Sequence, residues 1–178
     1  LISFSNAQGS VQLDDVIWNL DARVEEYKFA DGTILTHGDI LSKYLAQQVT
    51  AGDDFIYGTY YDDLISGGAG NDWLEGYNGA DTYIYNLGDG HDVVHEFSWW
   101  GGTDKLIFGS GLLKESISFS SYDQGNDVVV SFSGVEGSLR IDDVVVNGDM
   151  RIENYQFADG TIWSAEQFAA AYISQLGT

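Results

Sequence analysis

Six short segments of the chain repeat a pattern in which an aspartate is followed, two residues later, by an apolar side chain. A glycine stands two residues before the aspartate in every copy except the second, where Tyr61 replaces it. The aspartates have spacings of 9, 9, 9, 11 and 12 residues: Asp54, Asp63, Asp72, Asp81, Asp92 and Asp104. The apolar residues are Ile56, Ile65, Leu74, Tyr83, Val94 and Leu106. Self-similarity at a short fixed period predicts a solenoid built from one turn and one short strand per copy.

The repeat also predicts how the copies stack. Glycines before each aspartate permit tightly turned, left-handed backbone, and the residues after it form a strand whose middle side chain points into the core. Two nine-residue units then make one rung, and each turn lies over the turn two repeats later. One row of turns holds Asp54, Asp72 and Asp92, and the other holds Asp63, Asp81 and Asp104.

These two rows of carboxylates predict calcium binding. Turn carbonyls and carboxylates together offer the several oxygen ligands that Ca²⁺ requires. Without a cation, two carboxylates about 4 Å apart repel by roughly 4 kcal/mol at an effective dielectric of about 20, so we expect folding of the segment to be coupled to metal binding. The predicted ligands are the six aspartates, Asp89, and the turn residues Gly52, Gly58, Tyr60, Gly67, Ala69, Gly70, Asn71, Gly76 and Asn78.

The regularity of the repeat varies along the rows. Residues 67–75 carry the complete Gly-Gly-x-Gly-x-Asp pattern, whereas Tyr77 replaces a second glycine in the next copy. Two or three residues are inserted before the last two aspartates. The spacing therefore most favours the two sites between Asp54 and Asp72 and between Asp63 and Asp81. The site between Asp72 and Asp92, with help from Asp89, comes next, and the site between Asp81 and Asp104 is the least favoured.

A second, longer repeat relates the two ends of the chain. Residues 1–35 align without a gap with residues 129–163, with 19 identities in 35 positions. Each copy predicts short strands, an Asp-Gly hairpin turn and a helix. The turns are expected at Asp31 and Asp159, and the helices after Thr36 and Ser164, each of which has a capping-box partner three residues later.

Together the repeats predict a mainly β protein in three parts. Residues 1–48 are expected to be the C-terminal part of a flanking strand and helix unit, residues 49–108 a parallel β-roll, and residues 109–178 a small antiparallel cap with a C-terminal helix. Trp99 and Trp100 are expected to close the open end of the roll. The opening residues read as the middle of a strand, so the chain is expected to be a piece of a longer protein.

The composition limits the partners that the chain can have. The formal net charge is −21, from 28 acidic and 7 basic residues, and it disfavours nucleic acid and anionic membrane surfaces. The 25 aromatic residues, 22 glycines and absence of proline indicate a folded, turn-rich protein rather than an acidic tail. No apolar stretch approaches the roughly 18 residues needed to span a bilayer, so direct membrane insertion is not expected.

No catalytic constellation is visible in the sequence. It contains neither Gly-x-Ser-x-Gly nor His-Glu-x-x-His, and His91 and His95 fall at a turn and a strand end. Paired carboxylates are not by themselves a sign of catalysis in a chain with this many acids. We therefore expect that the segment is not an enzyme.

The nonapeptides, above all Gly67 to Asp72, resemble the RTX repeats of secreted bacterial toxins, proteases, lipases and adhesins. The flanking Phe-Ala-Asp-Gly-Thr segments at 29–33 and 157–161 look like the haemolysin-type calcium-binding-related domain. The resemblance implies a right-handed parallel β-roll with Ca²⁺ between its turns. It also implies a parent protein that leaves the cell unfolded through a type I secretion channel and folds on meeting external calcium.

Two roles are compatible with this resemblance. The segment could belong to a toxin or adhesin array, with adjacent blocks of the same chain and a host-cell or glycan ligand as further partners. The alternative is an accessory module that contacts substrate in a polysaccharide-modifying enzyme or lipase. The period of 128 residues favours an array.

Overall fold

The computed structural model describes residues 2–3, 10–11, 24–96, 102–122, 126–144 and 152–176. The predicted role of Trp99 and Trp100 in closing the roll lies outside these residues. No helix within the described ranges is long and apolar enough to cross a bilayer.

In its described residues, the N-terminal unit has two antiparallel strand pairs and a helix. The second pair turns at Asp31, as predicted, where Oδ1 accepts a hydrogen bond from the Thr33 N–H at 2.9 Å. The predicted capping box is formed, since Thr36 and Asp39 each accept a backbone hydrogen bond from the other. The elements are β1 (Ile2–Ser3), β2 (Ser10–Val11), β3 (Glu26–Lys28), β4 (Ile34–Thr36) and α1 (His37–Ala46).

The nonapeptides form six short strands that alternate between two parallel sheets. One sheet contains β5 (Phe55–Tyr57), β7 (Trp73–Glu75) and β9 (His91–Val94). The other contains β6 (Leu64–Ser66), β8 (Thr82–Tyr85) and β10 (Lys105–Phe108). The predicted β-roll, with two nonapeptides per rung, is therefore confirmed.

The core of the roll consists of the residues that the repeat predicts to face inward. The six apolar side chains two places after the row aspartates are all at most 1% exposed, whereas outward neighbours such as Phe55 and Leu64 are 67% and 62% exposed. Full burial of one such side chain stabilises the fold by about 1.5–3 kcal/mol. Since each short strand buries little else, the core of the roll is thin.

The C-terminal unit continues both sheets of the roll. In the first sheet, β13 (Ser138–Ile141) pairs in parallel with β9 and antiparallel with β12 (Asp127–Phe132), which pairs with β11 (Ile117–Tyr122). In the second, β14 (Asn154–Gln156) pairs in parallel with β10 and antiparallel with β15 (Ile162–Ser164). Helix α2 (Ala165–Leu176) follows β15 and contacts β11.

The cap is thus more closely joined to the roll than an independent antiparallel unit would be. Its strands satisfy the backbone groups at the open edges of β9 and β10, which would otherwise face water. One buried cluster runs from Ile56 in the first rung to Phe168 in α2. The domain boundaries at residues 48 and 108 remain predictions, although both sheets continue across residue 108 into the cap.

Candidate calcium sites in the turns of the roll

The first predicted row of aspartates is formed by direct hydrogen bonds between successive turns. The Asp54 N–H donates to Oδ1 of Asp72 at 2.9 Å, and the Asp72 N–H donates to Oδ1 of Asp92 at 3.0 Å. Asp89 lies beside this row, where its charge raises the pKa of both Asp72 and Asp92 in addition to the larger effect of burial. The structure therefore brings together all four carboxylates that the sequence assigns to this side.

The second row is built in the same way and is one residue longer than predicted. The Asp63 N–H donates to Oδ1 of Asp81, and the Asp81 N–H donates to Oδ1 of Asp104, each at 2.8 Å. The Asp104 N–H then donates to Oε2 of Glu153 at 2.6 Å. The inserted residues before Asp104 do not disturb the row, and Glu153 of the cap ends it.

Three of the row carboxylates each keep one oxygen for another partner. Oδ2 of Asp72, Asp81 and Asp92 is buried and accepts no hydrogen bond from the described residues, and the three residues are 1%, 0% and 2% exposed. A buried carboxylate oxygen without a donor is costly, on the order of 1–3 kcal/mol or more. A hard cation satisfies such oxygens, so the residues present fit Ca²⁺.

Without a cation, burial and mutual repulsion disfavour ionisation of the carboxyl groups in the rows. Burial raises the pKa of Asp81 to about 8, and the charges of Asp63 and Asp104 contribute to the shift. Burial also raises the pKa of Asp92 to about 7 and that of Asp63 and Asp104 to about 6. A bound divalent cation reverses this balance because it favours the charged carboxylates.

Glycines hold the turns close enough for carboxylates and carbonyls to meet. A Cβ on Gly67 would overlap Oδ2 of Asp72, and one on Gly76 would overlap Oδ2 of Asp81. At Gly70, where φ is +147°, a Cβ would lie 2.6 Å from the carbonyl oxygen of Gly52 in the stacked turn. The glycines of these turns therefore pack directly against the row carboxylates and the stacked turn.

The other turn residues of the predicted set differ in what they contact. The Asn71 side chain donates to Oδ1 of Asp53 at 3.0 Å and accepts from the His91 N–H at 3.1 Å, so it ties three turns together. In the turn at 58–63, the carbonyl of Tyr61 faces the stacked turn at Gly79. Ligation by the predicted turn carbonyls, that of Tyr60 included, remains a prediction.

A cluster of three buried carboxylates lies where the sequence pattern is least regular. Ligand oxygens of Asp81, Glu96 and Asp104 are within 4.8 Å of one another. Because Leu74 pairs with Val94, Glu96 occupies the position that Gly76 holds one rung earlier. The Tyr83 hydroxyl donates to Oε2 of Glu96 and orients it. This three-carboxylate cluster has the donor set of a divalent-cation site, and its glutamate is not part of the repeat pattern.

Comparison with protein families agrees with this geometry. Residues 49–83 and 57–94 match the family described as RTX calcium-binding nonapeptide repeat (4 copies). Residues 127–167 match the haemolysin-type calcium binding protein related domain. Residues 49–94 of the roll therefore carry calcium-binding nonapeptides of the RTX type, and both matched families bind Ca²⁺.

Comparison with solved structures gives a remote similarity. The solution structure of the AlgE6R3 subunit from the Azotobacter vinelandii mannuronan C5-epimerase aligns at 23% identity with a TM-score of 0.28. The alignment covers 52% of this chain and 67% of that one. Comparison with curated proteins gives no match.

Proposed function

We propose that this RTX module is a calcium-dependent folding switch, in which the roll forms as Ca²⁺ binds between stacked turns. The observation that carries the proposal is that Oδ2 of Asp72, Asp81 and Asp92 is buried and accepts no hydrogen bond from the described residues. Bound Ca²⁺ supplies positive charge and takes roughly 6–8 oxygen ligands. The row carboxylates and the turn carbonyls beside them would hold it, and in the second row Glu96 and Asp104 would join Asp81.

The energetics of the chain support coupling between binding and folding. The aspartate rows oppose stacking without a cation, and each strand of the roll contributes only one or two fully buried apolar side chains. A ligand that binds only the folded state stabilises it by RT ln(1 + [L]/Kd). With a Kd of about 10⁻⁴–10⁻³ M, which is usual for extracellular calcium modules, the roll would be unfolded at cytosolic calcium and folded outside the cell.

This switch suits a secreted protein, and we propose that the parent crosses a type I secretion channel unfolded and folds outside. The long repeat between residues 1–35 and 129–163 supports a parent with several such blocks, as in toxin and adhesin arrays. The segment itself is proposed to be non-catalytic, since the buried carboxylates of the roll stack on one another rather than lining a cleft.

An accessory module that contacts a polysaccharide is the second candidate. The outer face of the first sheet carries exposed Phe55 and partly exposed Tyr57, whose ring stacks on that of Tyr77 with centroids 6.2 Å apart. Aromatic faces of this kind stack on sugars. Titration with acidic and neutral glycans at saturating calcium tests the accessory role, which predicts saturable binding that Tyr57→Ala abolishes.

A calcium titration of the purified chain tests the proposed switch. Far-UV circular dichroism and binding heat should show a cooperative gain of β-structure with Ca²⁺ that Mg²⁺ does not reproduce. Asp72→Asn should weaken the response, whereas Asp31→Asn, which changes an exposed hairpin aspartate in the same way, should not. A chain that is fully folded in metal-free buffer and takes up no calcium would show that the proposal is wrong.

A further inference from the structure

The N-terminal hairpin and helix repeat the C-terminal ones in structure as well as in sequence. Tyr27 pairs with Leu35 between β3 and β4, and Tyr155 pairs with Trp163 between β14 and β15, 128 residues further on. The residue after each second strand donates its N–H to the carbonyl of a glutamate, Glu25 in one copy at 3.1 Å and Glu153 in the other at 2.9 Å. The two copies therefore share one local fold, and differences in the burial of equivalent residues reflect the segments that each copy contacts.

In the C-terminal copy, the outer edge of the hairpin is covered by the last strand of the roll. β14 pairs in parallel with β10, with Tyr155 opposite Leu106. The Asn154 N–H donates to the Asp104 carbonyl at 3.2 Å, and Glu153 accepts the Asp104 N–H. Tyr155 and Ile152 are consequently fully buried, at 0% exposed.

In the N-terminal copy, no described strand covers the same edge. Among the described strands, β3 pairs only with β4. Because Glu25 and Phe29 bond to the β4 side, the alternation of an antiparallel pair points the N–H groups of Glu26 and Lys28 towards the outer edge. Val24, the equivalent of Ile152, is 39% exposed.

We propose that the outer edge of β3 binds, in parallel, the last strand of another calcium-binding roll. Glu25 would accept the backbone N–H of the final row aspartate of that strand, as Glu153 does for Asp104. The occupant is a roll end like residues 104–108 that has no cap strand of its own. A second copy of this chain does not qualify, because its β10 is covered by its own β14. The inference rests on the proposed function, since the occupant is itself a roll that folds on binding calcium.

Helix α1 places this edge at a junction between two rolls. Leu45 on α1 is 5% exposed and belongs to the same buried cluster as Ile56 and Ile65 of the first rung. The unit at residues 24–46 therefore already covers the start of one roll with its helix. If β3 bound a roll end, the unit at residues 24–46 would form the end of one block and the beginning of the next.

A fusion chain tests the inference. Residues 49–128 are joined directly before Leu1, which keeps the 128-residue period because residue 129 aligns with residue 1. Amide hydrogen exchange at saturating calcium then compares Glu26 with Asn154 in the same molecule. In the unfused chain we expect the Glu26 amide to exchange on the order of 100-fold faster than that of Asn154, and in the fusion we expect both to be protected alike.

An extension with residues 109–128 alone is the matched control, since it contains no roll strand and should leave Glu26 unprotected. Rapid exchange of Glu26 in the full fusion, with Asn154 still protected, would overturn the inference and leave calcium binding intact. Protection of both amides that is the same in metal-free buffer would support binding at β3 and show instead that folding does not depend on calcium.

Discussion

The backbone N–H of Asp104 donates to Oε2 of Glu153 at 2.6 Å, so a row of carboxylates that begins in the nonapeptides ends in the cap. The roll and the cap are thereby joined at a candidate metal site as well as through β10 and β14. Stability of the cap should consequently influence calcium binding by the roll.

We expect Glu153→Ala to destabilise the calcium-loaded chain by about 1–3 kcal/mol, because the Asp104 N–H loses its acceptor at a partly buried position. Urea unfolding at saturating calcium measures the change. Glu136→Ala removes an exposed glutamate of the cap and should leave the free energy of unfolding within about 0.5 kcal/mol of the parent. Equal effects of the two substitutions would contradict a role for Glu153 in the row.

The pKa shifts predict that the stability of the metal-free fold and the affinity for calcium change in opposite directions with pH. Burial raises the pKa of Asp81 to about 8 in the metal-free fold, above that of an unfolded aspartate. Between these two pKa values, the folded chain therefore binds more protons than the unfolded chain. Stability of the metal-free fold should therefore fall as the pH rises from about 4 to about 8. Calcium binding must displace those protons, so calcium affinity should rise over the same range.

Far-UV circular dichroism in metal-free buffer at several pH values measures how much of the roll folds without calcium, and calorimetric titration at the same values measures the calcium affinity. Asp92, with a pKa of about 7, should contribute in the same direction over a slightly lower range. Metal-free stability that increases with pH would mean that these carboxylates ionise freely in the fold.

The three-carboxylate cluster predicts a specific effect of Glu96. Glu96→Gln keeps an oxygen that can accept from the Tyr83 hydroxyl but removes one negative charge from the cluster of Asp81, Glu96 and Asp104. We expect one site in the calcium titration to weaken by about tenfold or more, with the others unchanged. Glu136→Gln is the control, and identical binding isotherms for the two variants would exclude Glu96 as a ligand.

The sequence predicts the parts of the site that depend on local geometry. A glycine turn followed by a strand of period two, repeated in register, places Asp72 in a row and Leu74 in the core. Tyr77 departs from the glycine pattern, yet it adopts a φ of +71°. This costs roughly 1–2 kcal/mol, which the stacked turns offset.

The parts that the sequence does not predict depend on pairing between distant segments. Glu153 joins its row only because β14 pairs with β10, and the bonded residues are 49 positions apart. Glu96 stands four residues after Asp92, as Gly76 does after Asp72, but the repeat has glycine at this position and so gives no reason to expect a ligand there. Parallel pairing of cap strands with the roll leaves no periodic signal in the sequence, so Glu153 could not be found from spacing.

The inward apolar residues predict how much of the stability comes from the core of the roll. Leu106 is 0% exposed and Leu64 is 62% exposed, although both belong to strands of the same sheet. Leu106→Ala should lower the free energy of unfolding at saturating calcium by about 2–5 kcal/mol, because it leaves a cavity between the roll and the cap. Leu64→Ala should change it by less than about 0.5 kcal/mol. Since calcium stabilises only the folded chain, the Leu106→Ala variant should also need more calcium to reach half-folding, while Leu64→Ala should not. A Leu106→Ala variant that loses stability but folds at the same calcium concentration would show that the core and the metal sites stabilise the roll independently.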